Sequence, residues 1–140
     1  MNRLPRQDRQ RLDAWRQEMK NHLYTPVGKV DFEGFTTLDR LTPESAASTP
    51  MRPFPVGEKW GKCWEYAWFR AECTLPAECE GRRVVLLPGM GGEQLIYVDG
   101  VAAGSNDKGR DYVTLRRTGR AGERIPVLIE SYAGHGARLE

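Results

Sequence analysis

The chain has 140 residues, 39% apolar and 29% charged, with 21 basic and 19 acidic side chains for a net charge of +2. That length supports one domain with at most a short appendage, and the composition is ordinary for a globular chain. Interleaved, nearly balanced charge offers no basic surface for nucleic acid or for an anionic membrane, and no apolar run approaches the roughly 18 residues of a membrane span.

The charged start, MNRLPRQDRQ, lacks the apolar centre of a signal peptide. Residues 7–24, QDRQRLDAWRQEMKNHLY, are predicted to form an amphipathic helix. Leu12, Trp15, Met19 and Leu23 recur at spacings of three and four and share one face. Such a stripe must lie on the domain or on a neighbour, and Pro26 is expected to end the helix. The expected division is an N-terminal helix, 1–25, followed by a β-sandwich, 26–140.

Beyond Pro26 the helix signals fade. KVDFEGFTTL is expected to be a first strand or extended arm. In TPESAA, Thr42 can cap, Pro43 fits the first helical position and Glu44 the first turn, so one short helix is expected. ASTPMRPFPVGEKWG, rich in proline and glycine, reads as an ordered connector. Strand-like runs follow: residues 64–75, VVLLP, a hairpin over 93–104 turning at Asp99-Gly100, DYVTLRR and RIPVLIESY. Short strands with turns between them predict an all-β, antiparallel jelly-roll sandwich of about seven or eight strands. Phe69, Ala71, Leu75, Val85, Leu87, Ile96, Val98, Val127 and Ile129 are expected inside. The basic run LRRTGRAGER reads as a solvated strand end and turn.

The longest strand raises the functional question. KWGKCWEYAWFRAECTLP concentrates three tryptophans, a tyrosine and a phenylalanine. Alternation sends Trp64, Tyr66, Trp68, Arg70 and Glu72 to one face, and Glu65, Ala67, Phe69, Ala71, Cys73 and Leu75 to the other. The second set suits a core. The first suits a covered surface, whose cover is a sugar, the N-terminal helix or another domain. Flat aromatic rings suit the C–H face of a pyranose, yet such clusters more often supply packing area. Trp60 precedes the strand and is not placed by the alternation. Cys63, Cys73 and Cys79 match no zinc-ligand spacing, and His22 and His135 are distant in sequence, so reduced thiols in a cytoplasmic protein are expected. GMGGEQ precedes a strand rather than a helix and makes a poor phosphate cradle. Glu93 reads first as a strand-end carboxylate bonded to a loop or to Arg70, and second as a ligand-binding or acid group. Among Glu65, Glu72, Glu93 and Asp107 no spacing selects a catalytic pair.

TTLDRLTPESAA, FPVGEKWGKCWEYAWFRAECTLP and EGRRVVLLPGMGGEQLIYVDGVAAGSND, in that order, resemble the N-terminal region of bacterial family 38 glycoside hydrolases, the α-mannosidases. The resemblance spans roughly residues 36 to 131 and is more specific than a short motif. It runs through Pro55, Gly57, Trp60, Gly61 and Trp64, then Trp68-Phe69-Arg70, then Glu93, Tyr97, Asp99, Gly100 and Asp107. It departs where the family carries a histidine soon after the aspartate, because this chain has Lys108, Gly109 and Arg110. The resemblance implies a galactose-binding-like jelly roll ahead of a zinc-binding, retaining glycosidase domain. That catalytic domain is expected to lie C-terminal to this region and outside the chain, whose end GHGARLE reads as a truncation. The implied role is a noncatalytic accessory domain that packs on its own catalytic domain, with no cofactor of its own. The alternatives are an independent carbohydrate-binding module and the head domain of a β-galactosidase-like or rhamnosidase-like enzyme. Trp60, Trp64, Tyr66, Trp68, Arg70, Glu93 and Asp107 are the candidate contacts for sugar or domain. Oligosaccharide and a second copy of the chain are further candidate partners.

Overall fold

In the computed structural model, residues 4–107 and 109–135 are described. Lys108 and the residues 136–140 therefore lie outside them, and with them part of the expected departure from the family pattern and the expected truncation. Helix α1 spans Arg6–Asn21. It closes before Pro26 through tight turns in which His22 and Leu23 N–H donate to the Met19 and Lys20 carbonyls. None of its residues is buried. Leu12, Trp15, Met19 and Leu23 stay 39% to 62% exposed, so the expected cover for this stripe is not supplied by the chain's own sandwich.

The segments after it follow local chemistry. Strand β1 is Glu33–Thr37, and helix α2 is Pro43–Ser48, with the Thr42 hydroxyl accepting from Ser45 N–H. The proline-rich stretch is not purely a connector, because Arg52–Pro53 forms a short edge strand, β2. Proline is tolerated there because an edge strand need not donate on both sides. The remaining strands are β3 (Tyr66–Thr74), β4 (Val84–Leu86), β5 (Glu93–Val98), β6 (Val101–Asn106), β7 (Val113–Arg116) and β8 (Arg124–Tyr132). Asp99 and Gly100 turn the β5–β6 hairpin with φ of 54° and 78°. Two successive left-handed residues suit the right-handed twist of the flanking strands. The Asp99 carboxylate also pairs with Arg116 at 2.7 Å.

Six strands form one sheet in the order β2-β1-β3-β8-β5-β6, and β4 and β7 form a second. Every named strand pair is antiparallel. The resulting jelly-roll sandwich is the expected fold class. Between the sheets, Phe69, Ile129 and Ile96 stand in one cross-strand row and Ala71, Val127 and Val98 in the next. Val84, Leu86, Val113 and Leu115 of the smaller sheet close over them in a single core. Cys73 belongs to this core, and burial pushes its thiol up to about 11.

Two expected core residues are displaced. Val84 and Leu86 point inward, whereas Val85 is half-buried and Leu87 is 50% exposed. A continuous apolar run does not declare its register, and a slip of one residue exchanges the faces. Here an irregularity between Val84 and Val85, where β4 pairs with β7, accompanies the unexpected phase.

Candidate functional site

The outer face of the six-stranded sheet carries the candidate residues. Register places Thr37, Tyr66, Tyr132 and Glu93 in one row across β1, β3, β8 and β5. The next row is Phe35, Trp68, Glu130 and Leu95, and the next is Glu33, Arg70, Leu128 and Tyr97. Short helix α2 lies on this face. Its Ala46 is fully buried, and Arg70 Nη1 donates to the Ala47 carbonyl at 3.0 Å. Arg70 Nη2 pairs with Glu33 at 3.0 Å. The arginine thus ties helix to sheet and does not reach Glu93.

The seven candidates separate into different roles. Trp68 is 0% exposed, so protein covers it. Its indole N–H has no partner among the described residues. Trp60 belongs to the opposite face of the sheet. Its ring meets Phe69 edge-on at 6.0 Å, and its N–H donates to the Met90 carbonyl at 2.7 Å. Asp107 is a turn residue whose carboxylate accepts from Gly109 and Arg110 N–H at 2.6 and 3.0 Å. Glu93 opens β5 opposite Tyr132 and is exposed.

Trp64 departs furthest from expectation. It lies before β3 and not in it, at φ 66°, and is 58% exposed. Its N–H donates to the Gly134 carbonyl at 2.9 Å, and its ring sits 4.1 Å from that of His135. His135 Nδ1 hydrogen-bonds with the Tyr132 hydroxyl at 2.8 Å, and Tyr132 stacks on Tyr66 at 4.8 Å. The structure therefore joins Trp64, His135, Tyr132 and Tyr66 into one aromatic end, next to Glu93. Tyr132 and His135 were not among the sequence candidates. The available signal was the parity of Tyr132 in RIPVLIESY, which becomes informative only once β8 is paired with β3. Beside this end, Glu93, Leu95, Ser105, Asp107, Glu130 and Tyr132 line an open depression of about 480 Å³.

A family model described as alpha-mannosidase, jelly roll domain, matches residues 26–137. The chain belongs to this family. Alpha-mannosidase 2C1 of Homo sapiens is 34% identical over 98 residues, which cover 70% of this chain and 9% of the human protein. The α-mannosidase jelly roll described here thus spans only a small part of that relative's length. The expected resemblance to α-mannosidases is borne out, and the motif residues from Pro55 to Asp107 all lie within the matched span.

For zinc, the metal implied for the family's catalytic part, the described residues of the jelly roll do not fit: no three His, Cys, Asp or Glu side chains come together among them. No helix among the described residues is long and apolar enough to cross a membrane.

The loop that presents Trp64 is held by Glu65. Its carboxylate accepts from Gly61 and Lys62 N–H at 3.0 and 2.8 Å. Its own backbone donates to the Lys62 carbonyl and accepts from Ala133 N–H. Partial burial pushes this carboxyl upward, but the Lys62 and Gly61 N–H donors, the Thr36 hydroxyl and the Lys62 charge together hold the group below the usual carboxylate range. A depressed folded value contributes stability above the unfolded value of about 4.3, which is lost as pH falls through the folded value. Glu65→Ala is therefore expected to cost about 1 kcal/mol at neutral pH, with the difference from wild type shrinking on acidification. Urea melts of both proteins across acidic and neutral pH check this.

Proposed function

We propose that this chain is the noncatalytic β-sandwich of an α-mannosidase that acts on terminal α-mannosyl residues. It packs on the catalytic part through the aromatic end around Trp64 and His135, with sugar contact limited to the rim. The observation that carries this reading is the employment of the candidate side chains. Trp60 and Trp68 are used in packing, Arg70 and Glu65 in tying segments together, and Asp107 in a turn. What is left open is an aromatic edge of mixed apolar and acidic character, which suits a protein contact. Three cysteines without a disulfide, Cys73 and Cys79 buried and Cys63 exposed, support a cytoplasmic setting.

The test is incubation with an aryl α-mannoside, with and without zinc. No turnover is expected. Turnover that survives repurification and disappears in Glu93→Gln would contradict the accessory role.

One observation favours a second reading, an independent carbohydrate-binding module. A tryptophan held at positive φ stores roughly 1–3 kcal/mol of strain, and such strain tends to cluster at functional sites. In that reading Trp64 is the platform and Glu93 the hydrogen-bonding flank.

A further inference from the structure

Two polar groups stand side by side on the outer face of the sheet, and neither has a partner. Trp68 is 0% exposed, yet its indole N–H meets no acceptor among the described residues. A buried donor left unpaired is costly, and such groups are rare in native structures. Register sets Glu130 of β8 directly opposite Trp68 of β3. The other members of the row, Phe35 on β1 and Leu95 on β5, offer no side-chain acceptor. Glu130 is half-buried, and the one charge that favours its ionised form is that of Arg40. Directly opposed residues of an antiparallel pair hold their Cβ atoms about 4.5–5.5 Å apart. A change of rotamer at Glu130 is therefore enough to bring its carboxylate to the indole.

The other titratable groups around Glu130 do not take this role. Arg70 of β3 is engaged by Glu33 and the Ala47 carbonyl. Tyr66 of β3 stacks on Tyr132, whose hydroxyl bonds with His135. Glu93 of β5 and Glu44 of α2 carry the same sign as Glu130. Tyr97 of β5 is pushed up by burial and then by the charges of Glu130 and Glu44. Arg40 is exposed. Burial pushes the Glu130 carboxyl above its usual range, with the Arg40 charge opposing. A raised folded value favours the protonated form, so its contribution to stability is present below the unfolded value of about 4.3 and lost as pH rises through the folded value. A bond from the indole works in the opposite direction, because it favours the carboxylate.

We propose that Trp68 and Glu130 form a pH-gated pair: the ionised Glu130 carboxylate turns onto the Trp68 indole N–H, and the protonated carboxyl releases it and faces the open depression that Glu130 lines. The only change of state is the proton on Glu130. Ionisation draws the charge towards Trp68 and away from the depression, which leaves Glu93 as the free carboxylate beside the aromatic end. The pH-sensitive layer of the domain is thus its outer face and not its core. This goes beyond the accessory role proposed above, and its failure would leave the turnover result unaffected.

Heteronuclear magnetic resonance of the full chain, from acid to neutral pH, tests it through the indole N–H signals. The Trp68 signal, assigned through its own ring protons, is expected to move downfield as pH rises through the Glu130 titration. That movement should vanish in Glu130→Gln, while the other three tryptophan signals serve as internal references. In Trp68→Phe the Glu130 carboxyl should hold its proton about threefold or more tightly than in wild type, because the bond to its ionised form is gone. An indole that only fills space would move neither readout. A Trp68 signal that ignores pH, or that moves equally in Glu130→Gln, overturns the proposal. So does a Glu130 titration that is unchanged in Trp68→Phe. Should Trp68→Phe fail to fold, the comparison of wild type with Glu130→Gln decides alone.

Discussion

Trp68→Ala is expected to lower the unfolding free energy by about 3–5 kcal/mol, the range for removing a fully buried large aromatic. Trp68 is 0% exposed on the outer side of β3, and its loss would leave a cavity there. Part of that cost is recoverable through shape. The indole N–H has no partner among the described residues, so Trp68→Phe removes an unsatisfied donor while keeping most of the apolar volume, and should cost much less than alanine. Trp64→Ala should stay within about 1 kcal/mol of wild type, because that ring is largely in solvent. Urea denaturation of the three variants measures the order. Equal losses for Trp64→Ala and Trp68→Ala would mean that the two rings share one environment.

Gly92→Ala should be the most damaging small substitution near the aromatic end, at about 2–5 kcal/mol. Gly92 has φ +79°, and an added Cβ would stand 2.8 Å from the Tyr132 carbonyl oxygen and 3.2 Å from the Trp60 ring. The left-handed backbone alone costs a side chain about 1–2 kcal/mol, and overpacking against immobile neighbours adds about 1–3. Gly91 is the internal control. It has φ +76°, but nothing lies within 4 Å of an added Cβ. Gly91→Ala should therefore show the conformational part alone, and the difference in denaturation midpoint between the two variants isolates the close approach of β5, β8 and Trp60.

The fold was largely legible because its signals are local. Thr42-Pro43 starts α2, Asp99-Gly100 makes the hairpin turn, and the parity of Phe69, Ala71, Val127 and Ile129 marks the core. Where chemistry is not local the reading failed. Four apolar residues in a row cannot say which of Val84 or Val85 faces inward. Trp64 leaves the strand because the turn before it is closed by a side chain four residues from the turn's start, Glu65 onto Gly61 and Lys62 N–H. Alternation predicts one face for Trp64, Tyr66 and Trp68 and is blind to that turn. The expectation that protein covers Trp68 holds, while the place of α2 on that face of the sheet depends on the long-range contact of Arg70 with Ala47, which no local pattern announces. The aromatic end was the least legible part of the site, since it joins Trp64 to His135 across the β3–β8 pairing.

We propose that this α-mannosidase jelly roll uses its aromatic residues for protein contact and not as a sugar platform. Calorimetric titration of the chain with mannose, galactose and mannobiose tests it most directly. The expected result is no binding tighter than about a millimolar for any of the three, in wild type and in Trp64→Ala alike. Sub-millimolar binding that is lost in Trp64→Ala, with the melting temperature of the variant unchanged, would contradict it and favour the carbohydrate-binding module.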